Sequence, residues 1–320
     1  ALVYRPETAQ ALALAKTLTK WLKERDYNVF TAPEQKLVAG TKGLKRRSEL
    51  SKMSLLVVLG GDGTYLRATR LLDGKSIPIL GVNLGSLGFL TPFRADELFT
   101  AVEHTLENKM EIRPRAMIRY QLMRKGKMKS EGLALNDVVI ERGSLSQLIN
   151  IAIRCDRKLV SEVKADGIII SSPTGSTAYN LAAGGPILHN EVKAFVVTSI
   201  APHSLTTRPF IFPDESKLSF KFIGRAYDKN DSAHLVVDGI KVDKLNNEDE
   251  IVLKKSENDH WMVRDSNQNS FMILREKLKF GDREGEWLSD GAKLPSVAGL
   301  AGLLPRGLWV GRRETNVVRA

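Results

Sequence analysis

The chain has 320 residues, of which 42% are hydrophobic and 27% charged, and its net charge is +11. At ~100–200 residues per domain this is one large domain or two, of ordinary globular composition, which excludes disordered and collagenous classes. The longest apolar candidate, Leu294 to Leu304, carries Pro295 and falls short of the ~20 residues of a membrane span. A single cysteine, Cys155, excludes an internal disulfide and a Cys-based zinc site and fits a reducing compartment. No secretory leader is read at Ala1. The chain opens without Met on an apolar run, so its start is expected to be processed or trimmed. The surplus of Lys and Arg favours anionic partners: nucleic acid, an acidic membrane or a phosphorylated small molecule. The densest cluster, Lys42, Lys45, Arg46, Arg47 and Lys52, has no interleaved aromatics and reads as a solvated face.

In chain order, Leu2–Tyr4 is a short apolar run. Leu12, Ala15, Leu18 and Leu22 then recur at helical spacing before Val29 and Phe30. Ser54–Leu59 reads as a buried strand broken by Gly60–Gly63, and Thr64–Leu72 as a helix. Ile77–Val82 is a second apolar strand, followed by a loop with Gly81, Gly85 and Gly88 and a helix over about 96–108. Strands alternating with helices predict βαβ units and a parallel sheet. Near Pro114 the pattern changes to short strands: 117–123, 132–140, 148–153, 167–171, 194–200, 217–222, 234–237 and 251–253. Closely spaced turns predict an antiparallel, sandwich-like region with one helix starting near Thr177. The expected division is an α/β domain over 1–112 and a β-rich domain over 113–264. A segment over 265–283 could return to the first domain, and a tail over 284–320 lacks periodicity.

Three motifs carry chemistry. Gly60-Gly61-Asp62-Gly63-Thr64 lies between a strand and a helix, where glycines admit a phosphate and a helix N-terminus favours negative charge. Asp62 there suits a group that holds a cation or takes a proton from an attacking hydroxyl; a tight turn with Asp62 as N-cap is the plain alternative. Asn136-Asp137 interrupts an apolar run, where a polar pair is costly unless satisfied. The carboxylate could accept two ribose hydroxyls and the amide could read a base edge, against a β-bulge or turn. Asp166-Gly167 leads through a buried strand into Ser172-Pro173-Thr174-Gly175-Ser176-Thr177-Ala178-Tyr179, a hydroxyl-rich turn that can cradle a flat ligand or merely cap a helix. Walker and dinucleotide-binding Gly-rich fingerprints are absent, and no G-x-S-x-G frames a nucleophilic serine.

In this order the three motifs resemble the NAD kinase family, over about residues 1–283. The likeness continues through Asn83–Thr91, Pro202-His203-Ser204-Leu205, Arg208-Pro209, Asp238-Gly239 and Leu274-Arg275-Glu276-Lys277-Leu278. The GGDGT run alone is shared with 6-phosphofructokinases and lipid kinases; the TGSTAY turn selects NAD kinase. The resemblance implies an α/β N-terminal domain and a β-rich C-terminal domain. It implies phosphoryl transfer from ATP, or inorganic polyphosphate, to the 2′-hydroxyl of the adenosine ribose of NAD, giving NADP. A divalent cation, Mg²⁺, would arrive with the triphosphate. It implies Asp62 as general base, with Gly61 and Gly63 beside the nucleotide and Asn136 and Asp137 on the adenosine half. Lys164, Asp166, Thr174, Thr177, Ala178, Tyr179, Asn180, Leu181, Ala182 and, more weakly, Ala201 match dinucleotide-binding positions. No residue is expected to form a dedicated metal site. A cytoplasmic homo-oligomer, dimer or tetramer, with neither nucleic acid nor membrane as partner, follows from the family. Many members carry Glu at the position of Asp137, and some bacterial members Gln at that of Ile240, so the latter contact is not transferred. A lipid or sugar kinase sharing GGDGT and a non-catalytic dinucleotide-binding protein are the other readings. No amphipathic membrane-docking helix supports the lipid version.

Overall fold

The computed structural model describes residues 1–143, 147–223, 233–266 and 270–279. The chain divides into a unit Ala1–Lys277 and a second segment, Leu278–Ala320. The tail expected over 284–320 lies outside the described residues.

The first elements are β1 (Leu2–Tyr4), α1 (Ala9–Lys23), β2 (Phe30–Thr31), β3 (Lys42–Gly43), β4 (Leu56–Leu59), α2 (Asp62–Leu72), β5 (Ile79–Asn83), β6 (Phe93–Arg94), α3 (Leu98–Leu106) and β7 (Glu111–Arg115). There follow β8 (Ile118–Arg124), β9 (Lys127–Ala134), β10 (Asp137–Arg142), β11 (Ile149–Cys155), β12 (Lys158–Ala165) and β13 (Gly167–Ser171). A 3₁₀ turn, Thr174–Thr177, leads to the single-turn α4 (Tyr179–Ala182). The remainder is β14 (Ala194–Ile200), β15 (Phe210–Pro213), β16 (Leu218–Ile223), β17 (Ala233–Val237), β18 (Ile240–Leu245), β19 (Glu250–Lys255), β20 (His260–Arg264) and α5 (Ser270–Leu278).

The first sheet runs β3-β2-β1-β4-β5-β20-β7, with β6 also on β5. Its pairs are parallel except β7 with β20. Both faces of its centre are covered, so β1, β4 and β5 are buried along their whole length rather than alternating. Leu2, Tyr4, Val57, Leu59, Leu80 and Val82 pack against Ala11, Ala15, Leu18 and Leu22 of α1 and Leu98, Ala101 and Val102 of α3. The opposite residues Val3, Leu56, Val58, Ile79 and Met262 meet Tyr65, Ala68, Leu71 and Leu72 of α2. Fully burying each such leucine contributes roughly 1.5–3 kcal/mol. Tyr65 also hydrogen-bonds His260 Nε2 through its hydroxyl at 2.8 Å, tying α2 to β20. Burial, with the nearby Arg115 charge, pushes His260 down to about 3, so the pair is neutral at working pH.

Two antiparallel six-stranded sheets, β15-β14-β13-β10-β17-β18 and β12-β11-β16-β19-β8-β9, enclose one core in which Ile140, Ile168, Phe195 and Leu235 meet Ile151, Phe220, Phe222 and Leu253. The parallel α/β region and the β-rich sandwich are thus as expected. Three local readings change. The run over 132–140 is not one strand: β9 and β10 lie in different sheets. The Asp238 carboxylate accepts the amides of Leu135, Asn136 and Asp137 at 2.9, 2.8 and 3.2 Å, so Leu135 and Asn136 lie between the two ladders and the chain changes sheet there. His260–Arg264, assigned from sequence to the β-rich region, pairs with β5 and β7, so the return to the first sheet begins at His260 rather than after Arg264. The helix expected from Thr177 is a 3₁₀ turn plus one α turn. Among the described residues no helix is long and apolar enough to cross a membrane.

Candidate functional site

At the N-terminus of α2, Gly61 is the N-cap and Asp62 the first helical residue, so Asp62 is not itself the cap. Its side chain turns to the loop after β5. Oδ1 accepts from Leu90 N (3.1 Å), Thr91 N (3.1 Å) and Thr91 Oγ1 (2.9 Å). Among the described residues Oδ2 accepts from Phe89 N alone (3.0 Å). Asn83 Nδ2 donates to Thr91 Oγ1 at 2.7 Å, so the hydroxyl is fixed from behind. The loop approaches this closely because residue 88 is glycine: a Cβ there would overlap the Asp62 carboxylate. A carboxylate oxygen has two lone pairs, and Oδ2 keeps one of them. Gly61 and Asp62 line a polar cavity of about 390 Å³ with Arg5, Asn83, Ser86 and Lys277. Gly63 is exposed, with open space where a side chain would stand. The helix dipole, the free amides of the first turn and two cations converge where an anion would enter.

Phe89 belongs to a second cavity, of about 150 Å³, shared with Thr174, Thr177, Arg115 and Arg264. The loop over 83–91 therefore borders both cavities. The Thr174–Thr177 turn rests on the Asn136-Asp137 segment: Ser172 N donates to Asn136 O at 2.9 Å and Ser172 Oγ reaches Leu135 O at 2.5 Å. Gly175 makes this possible, since a Cβ there would overlap the Asn136 carbonyl.

Asn136 is 9% exposed, and its Oδ1 is buried with no hydrogen-bond partner. Beside it Asp137 is 5% exposed, and burial, then the Asp238 charge, push its carboxyl up to about 7. Burial also pushes the Asp238 carboxyl up, although three backbone amides oppose this. A buried acceptor without a donor next to a destabilised carboxylate is an arrangement that a ligand's amino and hydroxyl groups would complete.

The other sequence-predicted residues divide. Asn180 is completely buried and its amide is used within the protein: Nδ2 donates to Ser176 O and Pro186 O at 3.0 Å, and Oδ1 accepts from Thr198 Oγ1 at 2.7 Å. It shapes the turn. Tyr179 is 43% exposed, Ala182 is exposed, and Ala178 and Leu181 are half-buried. Burial, then the charges of Glu141, Asp137 and Asp166, push the Tyr179 hydroxyl up, so this ring stands among acidic groups. Asp166 pairs with Arg142 at 2.8 Å, and its amide bonds Ile200 O, next to Ala201. Lys164 is exposed and its carbonyl accepts from His203 N at 2.9 Å. Lys164, Asp166 and Ala201 thus group at one end of β12, β13 and β14. Sequence reasoning gave no role to Asp238, which organises the Asn136-Asp137 turn, nor to Arg5, Phe89, Arg115, Arg264 and Lys277. The Asp-Gly step signals only a hairpin, and isolated cations carry no spacing signal. Among the described residues no three His, Cys, Asp or Glu side chains gather to hold a metal.

A carboxylate and cations at a Gly-rich helix N-terminus, lining a polar cavity, are the parts of a nucleotide-dependent phosphotransferase. Residues 1–110 match the model of the ATP-NAD kinase N-terminal domain and residues 135–264 that of the ATP-NAD kinase C-terminal domain. The chain is 60% identical over 282 residues to the NAD kinase of Bdellovibrio bacteriovorus, covering 88% of this chain and 92% of that one. To the NAD kinase of Geobacter sp. (strain M21) it is 38% identical over 278 residues, covering 86% and 96%. In three dimensions it is similar to yeast NADH kinase in complex with NADH, with a TM-score of 0.82, 26% identity and 89% of both chains covered. An NAD kinase from Archaeoglobus fulgidus in complex with ATP shares the fold, with a TM-score of 0.67 at 23% identity over 87% of this chain and 97% of that one. The chain belongs to the NAD kinase family, whose members phosphorylate NAD to NADP.

Proposed function

We propose that Asp62, Asn136, Asp137 and the Thr174–Thr177 turn carry this reaction on ATP and NAD. The observation that supports it best is the buried, unpartnered Asn136 Oδ1 beside Asp137, which matches the amino and hydroxyl groups of an adenosine. Asn136 reads the base edge and Asp137 accepts ribose hydroxyls. Thr174 and Thr177 supply hydroxyls from the cavity they line with Phe89, and Gly61, Gly63, Ala178, Tyr179, Leu181 and Ala182 border the dinucleotide. Asn180 acts through the shape of the turn. Lys164, Asp166 and Ala201 form an outer contact group.

The reacting hydroxyl is a poor nucleophile at neutral pH, and a positioned base contributes typically ~10²–10⁴-fold. Asp62 Oδ2, with its one remaining lone pair, takes that proton, while the donors on Oδ1 hold the carboxylate in place. The donor's phosphates occupy the polar cavity at the N-terminus of α2, where Arg5 and Lys277 neutralise charge. A divalent cation fits as part of the donor, held mainly by phosphate oxygens and water, and neutralises charge on the phosphates when bound. The enzyme works in the cytoplasm as a homo-oligomer on free nucleotides, with neither nucleic acid nor membrane as partner.

The test is incubation of the purified chain with Mg²⁺, NAD and either ATP or inorganic polyphosphate, with NADP read by an NADP-specific dehydrogenase. ATP-dependent NADP formation that ceases with a chelator is expected. No NADP with either donor would remove the proposal.

A further inference from the structure

Two arginines stand in the interior and, among the described residues, form no ion pair. Arg115 ends β7 and Arg264 ends β20, and they are 7% and 8% exposed. In the β7–β20 ladder Arg115 lies opposite His260 and Arg264 opposite Glu111. Opposed residues of an antiparallel pair point the same way, so both arginines share the face of Met262. Among the described residues neither guanidinium has a carboxylate within ion-pairing distance; Glu111 and Glu191 pair instead with Arg113, at 2.7 and 3.9 Å. Arg264 Nη1 is fully buried and has no hydrogen-bond partner. Burial and the Arg264 charge lower Arg115 to about 10, which still leaves it charged at neutral pH. Two like charges out of water, one with an idle donor, are unstable unless an anion joins them.

Both arginines line the 150 Å³ cavity that holds Thr174 and Thr177, and no Asp or Glu lines it. Both arginines also line a second polar cavity, where Glu111, Glu191 and Asp265 repel an anion, so the anion is favoured on the Thr174 side. Guanidinium forks match phosphate oxygens better than any other side chain does.

We propose that Arg115 and Arg264 form a buried phosphate site, filled by a phosphate group of a ligand bound against Thr174 and Thr177. This deepens the NAD kinase reading, because the reaction itself adds a phosphate to the dinucleotide. Three sources share the chemistry: the new ribose phosphate of NADP, the bridging pyrophosphate common to NAD and NADP, and free inorganic phosphate.

The experiment measures thermal unfolding and calorimetric binding of the full chain with sodium phosphate, NAD or NADP, against sodium chloride at matched ionic strength. A ligand that binds only the native state raises the midpoint. The wild type should be stabilised by at least one phosphate ligand beyond the chloride control, and Arg264→Gln should weaken that ligand at least tenfold. Loss confined to NADP assigns the ribose phosphate, equal loss for NAD and NADP the pyrophosphate, and loss for inorganic phosphate alone a free anion. Arg264→Lys, which keeps the charge but not the fork, should fall between. Should Arg264→Gln not fold, wild type and Arg115→Gln decide: no phosphate-specific stabilisation of the wild type overturns the site. A wild type that makes NADP yet shows no such stabilisation overturns this site alone and leaves the kinase reading intact.

Discussion

Asp137 should cost the protein stability that it returns as binding, and Asp137→Asn separates the two. Its carboxyl is 5% exposed and is pushed from 3.8 to about 7, first by burial and then by Asp238. Below about pH 3 the group is protonated in native and unfolded chains alike and costs nothing. As pH rises from about 3 to 7 the unfolded chain releases the proton first, so stability falls, and above 7 the full cost is present. A shift of about three units corresponds to an upper limit of about 4 kcal/mol. An asparagine at this position is nearly isosteric and uncharged. At pH 8 urea unfolding of Asp137→Asn should therefore require more denaturant than the wild type, by about 1–4 kcal/mol. At pH 4 the difference should shrink to under about 1 kcal/mol. NAD titrated against the same samples should bind the variant roughly ten- to a hundredfold more weakly, the loss of a charged acceptor being worth ~1.5–3 kcal/mol. Wild-type NAD affinity should itself decline as pH drops below about 7. A variant less stable than the wild type at pH 8, or a stability difference that ignores pH, would refute the reasoning.

Asp62→Asn should lower turnover by roughly 10²–10⁴-fold with little change in NAD affinity, since a base acts mainly in the transition state; turnover above about a third of normal in single-turnover assays removes Asp62 from the proton transfer. Gly175→Ala places a Cβ on the Asn136 carbonyl, so it should lower the unfolding midpoint and weaken NAD binding together, and a neutral result by calorimetry would mean that the turn can withdraw. Lys277→Ala removes a cation from the Asp62 cavity and from the Phe89 ring, 5.5 Å away; the KM for ATP should rise several-fold with that for NAD unchanged, and the reverse pattern in initial-rate kinetics would place Lys277 on the acceptor side.

The sequence by itself determined the two-part architecture and the three chemical motifs. Continuous apolar strands such as Leu56–Leu59 that alternate with amphipathic helices read as a sheet between two helix layers, and GGDGT and TGSTAY are local runs whose spacing survives without a structure. Short polar strands escaped it: β12 and β18 place Lys, Ser, Glu and Asp toward solvent and carry too little hydrophobic pattern to read. Tertiary structure alone decided what these motifs touch. Asp62 reads as a cap or a base in sequence, but its partners lie 27–29 residues onward in the loop that residue 88 allows to approach. The run through Asn136-Asp137 reads as one strand, but Asp238, about a hundred residues later, takes the amides of Leu135 and Asn136 that would have joined β9 to β10. Arg115 and Arg264 carry no signal in the sequence. Their burial follows from the return of β20 to the first sheet, a pairing between residues roughly 150 positions apart, and no local periodicity encodes a contact of that range.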